Sequence, residues 1–107
     1  LITKFPNADI YAITPLHRGT FNGQLDRADT MKNANGNFLY EYVEAVKESA
    51  SYFSIPVIDL WSDGGLNPNI SANATAFFNH NSGGIPDLLH PDENGHRRIA
   101  ERILRVL

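Results

Sequence analysis

The stretch FLYEYVEAVKESASYFSIPVIDLW, residues 38–61, carries the two patterns that set the fold class. Leu39, Val43, Val46, Ala50 and Phe53 recur at steps of four, three, four and three, which lays one apolar stripe along one helix face. Glu41, Glu44, Lys47 and Glu48 fall largely on the other side. The spacing predicts a helix over Phe38–Phe53, with Asn37 as its cap. The run Ile55-Pro56-Val57-Ile58-Asp59-Leu60-Trp61 that follows is short, apolar and rich in strand formers, so it reads as a strand.

Working outward, Asp9–Thr14 has the same character and is closed by Pro15, which makes it a first strand. Leu1–Phe5 reads as the end of a helix that Pro6-Asn7 breaks. Residues 15–37 and 62–90 are rich in Gly and Asn and read as two long loops, the second holding a short helix around Ala72–Phe78. A final helix is expected from Pro91 or Asp92 to Val106, with Gly95, Ile99, Ile103 and Leu107 on one face and Ala100 and Leu104 beside them. The order strand, helix, strand, helix implies an α/β fold with a parallel pair joined by a right-handed crossover. Both strands are continuously apolar, as in parallel sheets covered on both faces. Sheets usually hold about four to six strands, so further strands are expected, upstream of Leu1. Both long loops leave the carboxyl ends of the strands, the edge where open α/β sheets bind ligands.

A chain of 107 residues is one small domain or a piece of one. Its net charge of −3 offers no surplus of cations to neutralise phosphates, so nucleic acid is not an expected partner. Arg97, Arg98, Arg102 and Arg105 fall late in the last helix, where they complement its dipole. With no cysteine, disulfides and thiolate metal sites are excluded. No apolar run is long enough to span a membrane, and no signal peptide is visible. Asn69-Ile70-Ser71 and Asn73-Ala74-Thr75 match the glycosylation acceptor pattern, a weak signal by itself.

The chemistry concentrates in PDLLHPDENGH, residues 86–96. Asp87 and His90 are three residues apart on an expected turn, close enough for the carboxylate to hold a ring nitrogen. Such a bond fixes the tautomer and stabilises the imidazolium formed when the other nitrogen takes a proton. The plainer reading is that Asp87 caps the turn and His90 is a loop residue. His96, one turn into the last helix, reads as a packed structural histidine, and Gly95 as the point of close approach of that helix to the sheet. His17 and His80 read as loop residues, solvated or lining a cleft. His90, His96, Asp87 and Asp92 match no tight metal-ligand spacing, and Gly64-Gly65 and Gly83-Gly84 are not a phosphate loop, so neither metal nor cofactor is expected. Phe77-Phe78, Tyr11 and Trp61 read as core, with a pocket floor as the alternative. Among the serines, only Ser82 lies in a loop permissive for a nucleophile.

Asp87-Leu88-Leu89-His90-Pro91, followed by Gly95-His96 and the helix at Arg97-Arg98-Ile99-Ala100, resembles the C-terminal motif of the SGNH (GDSL-type) ester hydrolases. Phe5-Pro6-Asn7-Ala8 with its strand resembles the segment after that family's third motif, and Ile55–Leu60 its last core strand. The resemblance implies a three-layer α/β/α sandwich around a parallel sheet, with residues 1–107 as its C-terminal portion. It implies Asp87 as the triad aspartate and His90 as the general base, acting on a small ester or an acetylated carbohydrate. The family's serine lies in a Gly-Asp-Ser motif near the N-terminus, and a glycine and an asparagine complete its oxyanion hole. None of these is present here, so the resemblance also implies a missing nucleophile-bearing portion, or self-association through the surface it would cover. The alternative is a non-catalytic α/β binding or interaction module in which Asp87 and His90 are structural.

Overall fold

The computed structural model describes residues 1–25 and 28–107; Asp26 and Arg27, within the first expected loop, lie outside the described residues. The chain is a mixed α/β fold. Strands β1 (Ala12–Ile13) and β2 (Val57–Ile58) pair in parallel, Ala12 opposite Val57 and Ile13 opposite Ile58. Both are shorter than the apolar runs that contain them. The second run stops because Asp59 turns the chain: its carboxylate accepts the Ser62 N–H at 3.0 Å and caps the short helix α2 (Leu60–Asp63). Leu60 and Trp61, expected in the strand, are therefore helical. Thr14, buried at the end of β1, donates to Asp59 at 3.2 Å and accepts the Trp61 N–H at 2.9 Å, tying the carboxyl ends of both strands together.

Helix α1 (Leu39–Tyr52) joins the two strands and packs on β1, close to its expected span. Val43 and Ala50 are buried, Leu39 and Val46 half-buried, and Phe53, past the helix end, exposed. Asn37 is not the cap. Phe38 occupies that position, and the Glu41 carboxylate reaches back to accept its N–H at 2.6 Å, satisfying a donor the helix itself leaves free. Lys47 crosses from α1 to Asp59 at 3.0 Å.

The second expected loop is largely regular. After α2 come helix α3 (Ser71–Phe77), which matches the expected short helix, and an antiparallel hairpin of β3 (Phe78–His80) and β4 (Pro86–Pro91). The hairpin turn is built by Asn81, whose side-chain oxygen accepts the N–H groups of Gly83 and Ile85 at 2.9 and 3.1 Å. Helix α4 (Glu93–Val106) is capped by Asp92, which accepts the Gly95 N–H at 2.9 Å. Gly95 is buried where α4 crosses the α3–β3 junction. A Cβ there would collide with the Phe77 carbonyl oxygen and come within 2.7 Å of Pro91 Cβ. The close approach expected of this glycine is thus to Phe77 rather than to the parallel sheet. Ile99 and Ile103 are half-buried, but Leu104 and Leu107 face solvent, so the apolar stripe of α4 is only partly covered. Arg98 lies over the Phe77 ring, 4.3 Å from its centroid.

Leu1–Phe5 is a turn closed by the Phe5 N–H on the Leu1 carbonyl at 2.8 Å, not a helix end. Ile2, Phe5, Tyr11, Phe53 and Ile55 line a shallow cavity of about 290 Å³ there. The accessible surface is 7105 Å², against about 5,900 Å² for a self-contained domain of this mass. The radius of gyration is 15.4 Å, against about 13 Å for a compact chain of this length. No helix among the described residues is long and apolar enough to cross a membrane.

Candidate active site

Asp87 and His90 lie within β4, not on a free turn. Phe78 pairs with Pro91 and His80 with Pro86, so two steps along β3 are matched by five along β4. The surplus residues bulge out of the ladder, a local device that re-aims side chains. Within the bulge, Leu88 has φ +63°, a left-handed conformation that costs a leucine about 1–3 kcal/mol. That conformation folds the chain around the Asp87 carboxylate. Asp87 Oδ1 accepts the N–H groups of Leu89 and His90, each at 2.9 Å, while Oδ2 lies 2.8 Å from His90 Nδ1. An aspartate that hydrogen-bonds the backbone two and three residues on is a common local motif, and here it delivers the histidine to the other oxygen.

The electrostatics follow from this geometry. Burial pushes the Asp87 carboxyl up, but the N–H groups of His90 and Leu89 and the His90 ring outweigh it, holding the group below its ordinary value. The ionised carboxylate can only accept, so it places the ring proton on Nδ1 and leaves Nε2 as the acceptor. The Asp87 side chain is 13% exposed and that of His90 56% exposed. Among the described residues, His90 Nε2 has no hydrogen-bond partner. The pair is therefore an oriented imidazole facing solvent.

The loop after β1 meets this turn. Gly19 donates its N–H to the Leu88 carbonyl at 2.7 Å, and Phe21 sets its ring edge-on to His90, with 5.5 Å between centroids. A cavity of about 410 Å³ has Leu88 in its wall, with Thr20, Pro68, Asn69, Ala74 and Ile85 among its other lining residues. Among the described residues, no charged side chain lines it.

A second imidazole–carboxylate pair was not foreseen. His17 Nδ1 lies 2.7 Å from Asp29 Oδ2. The same carboxylate accepts the Arg18 N–H at 3.2 Å and the Asn69 side-chain amide at 3.1 Å, and is 5% exposed. The His17 ring stacks on Trp61, with 3.6 Å between centroids. His17 is thus packed, not a solvated loop residue. Asp29 carried no signal because its partner is twelve positions away in an irregular segment. His96 departs in the opposite direction: it is exposed, with Nδ1 on the Asp92 carbonyl at 2.9 Å. His80 is exposed on β3, Phe78 is fully buried core, and Ser82 is exposed in the hairpin turn with no hydrogen bond to His90. Among the described residues, no three His, Asp or Glu side chains gather as a metal site.

No protein-family model matches the chain, and no curated protein matches it. Solved structures do. One superimposes with a TM-score of 0.80 at 28% identity, over 97% of this chain and 44% of its own length. A protein from Lactobacillus plantarum gives the same TM-score at 26% identity, over 100% of this chain and 47% of its own. The chain therefore spans somewhat under half the length of the solved structures it matches.

Proposed function

We propose that this chain carries the general base, His90, and its orienting carboxylate, Asp87, of an SGNH-type serine ester hydrolase, with the nucleophile supplied by further polypeptide. The observation that carries the reading is the 2.8 Å Asp87–His90 contact, with its carboxylate pinned by two backbone N–H groups and the far side of the ring open. In the reaction, His90 Nε2 takes the proton from a serine hydroxyl as its oxygen attacks the ester carbonyl. The imidazolium, stabilised by Asp87, then protonates the departing alcohol. Water repeats the cycle to release the acid. The cavity beside Leu88, whose described lining carries no charge, suits a neutral ester, such as a short acyl ester or an acetylated carbohydrate.

In this reading β1 and β2 are the last strands of a longer parallel sheet in a three-layer sandwich, and residues 1–107 are its C-terminal portion. The surface in excess of a self-contained domain supports it. So do the exposed apolar side chains at Ile2, Phe5, Ile13 and Phe53, which further chain or a second copy would cover. The greater length of the matching structures points the same way. The test is hydrolysis of a short-chain nitrophenyl ester by the complete enzyme this reading requires. His90→Ala is expected to lower kcat/KM by about 10²–10⁴-fold. A loss smaller than about threefold would end the assignment.

A further inference from the structure

We infer that Gly19 and Phe21 are positioning residues for the His90 base, acting through the strained Leu88. The inference rests on the reading of His90 above, but its test does not. Leu88 is the pivot of the Asp87–His90 turn, since its left-handed φ of +63° lets Leu89, His90 and the imidazole converge on one carboxylate. The Leu88 carbonyl is held from outside the turn. That carbonyl is taken by the Gly19 N–H at 2.7 Å, from a loop some seventy residues earlier in the chain.

The fit at this contact is close enough to exclude other residues. A Cβ at Gly19 would lie 2.7 Å from Leu88 Cβ and 3.2 Å from its Cδ1. Both Cβ atoms are fixed to backbone, so relief separates the two main chains and loosens the contact that holds the Leu88 turn. Two residues on, Phe21 presses on the imidazole with an interplanar angle of 85°, the edge-on arrangement that aromatic rings prefer. The Phe21–Gly23 turn packs against β4 along the same line. The buried Asp29 anchors the loop further on, through His17, the Arg18 N–H and Asn69. One loop thus fixes both the backbone that carries the base and one side of its ring.

The readout is the His90 tautomer, measured by long-range ¹⁵N–¹H NMR of the full chain at alkaline pH. A free histidine favours the proton on Nε2, whereas the Asp87 contact selects Nδ1–H. The chain is expected to hold His90 mainly as Nδ1–H. Gly19→Ala is expected to cut that population by at least about twofold, because the turn opens. Adding Leu88→Gly removes the opposing Cβ and suits the left-handed φ, so the double variant restores it. Phe21→Ala also lowers the Nδ1–H population, and Phe21→Tyr keeps it. A folded Gly19→Ala chain with an unchanged tautomer overturns the inference, as does failure of Leu88→Gly to rescue it. If Gly19→Ala does not fold, an unchanged tautomer in Phe21→Ala overturns it instead. These outcomes are independent of hydrolysis: the positioning can fail while His90→Ala still abolishes activity, and it can hold in a protein that hydrolyses no ester.

Discussion

Two histidine–aspartate pairs in this molecule have nearly the same bond and opposite surroundings. His90–Asp87 and His17–Asp29 join Nδ1 to a carboxylate oxygen at 2.8 and 2.7 Å. At the first, the imidazole side chain is 56% exposed and the backbone between the partners is strained. At the second, the imidazole is 21% exposed, stacked on Trp61, and its carboxylate is the hub of contacts from two loops. A hydrogen bond between imidazole and carboxylate therefore does not by itself mark a base. The open ring, held by a local turn at the price of backbone strain, has the features of a working group. The covered ring, held by distant residues, has those of a clamp.

The largest expected effects test that division through activity. In the complete enzyme that the proposed function requires, Asp87→Asn should lower kcat by about 10²–10⁴-fold, because the amide no longer selects the Nδ1–H ring or stabilises its cation. Asp29→Asn should leave kcat within about tenfold of the parent, since its histidine is covered. A pH-independent loss of similar size in both would erase the distinction.

Stability should reverse the order. Asp29→Ala leaves the His17 ring, the Arg18 N–H and the Asn69 amide without their buried acceptor, and should cost about 1–3 kcal/mol in urea unfolding. Asp87→Ala removes bonds that water can replace and releases a strained turn, so its cost should stay under about 1 kcal/mol. If Asp87→Ala proves the more destabilising, the turn is a structural staple and the comparison breaks.

The smallest effect is the pH dependence. The Asp87 carboxyl is held below its ordinary value in the folded chain, and so is that of Asp59. At Asp59 burial raises the value, but the Ser62 N–H and Lys47 outweigh it. Between the lowered folded values and the ordinary value near ~3.9, the unfolded chain binds more protons, so stability rises with pH there. The contribution is fully present above that range and is lost as pH falls through the folded values. Thermal melts of Asp59→Asn and Asp87→Asn should therefore show a shallower acid limb than the parent. An unchanged acid limb in both would remove the claim that their contacts favour the charged form.

Legibility in the sequence followed the distance over which each feature is specified. Helix α1 was readable because its apolar steps repeat over fourteen residues. Asp87 and His90 were readable as a pair because the carboxylate acts on groups two and three residues away. The hairpin around Asn81 was not, because β3 and β4 do not alternate: the bulge at Leu88–His90 breaks their period. The Asp59 cap ended a strand that the apolar pattern alone carries on to Trp61.

By itself the sequence determined the α/β order, the helix between the strands and the candidate base with its carboxylate, since each rests on a short-range rule of period, cap or turn. Only the tertiary structure decided which histidine is open and which is clamped. His17 is covered because Trp61 stacks on it and because Asp29, itself held by Asn69 from another loop, takes its ring nitrogen, and His90 is aimed because Gly19 and Phe21 reach it across some seventy residues. Burial and strain are properties of such meetings between distant segments, and no local pattern encodes them.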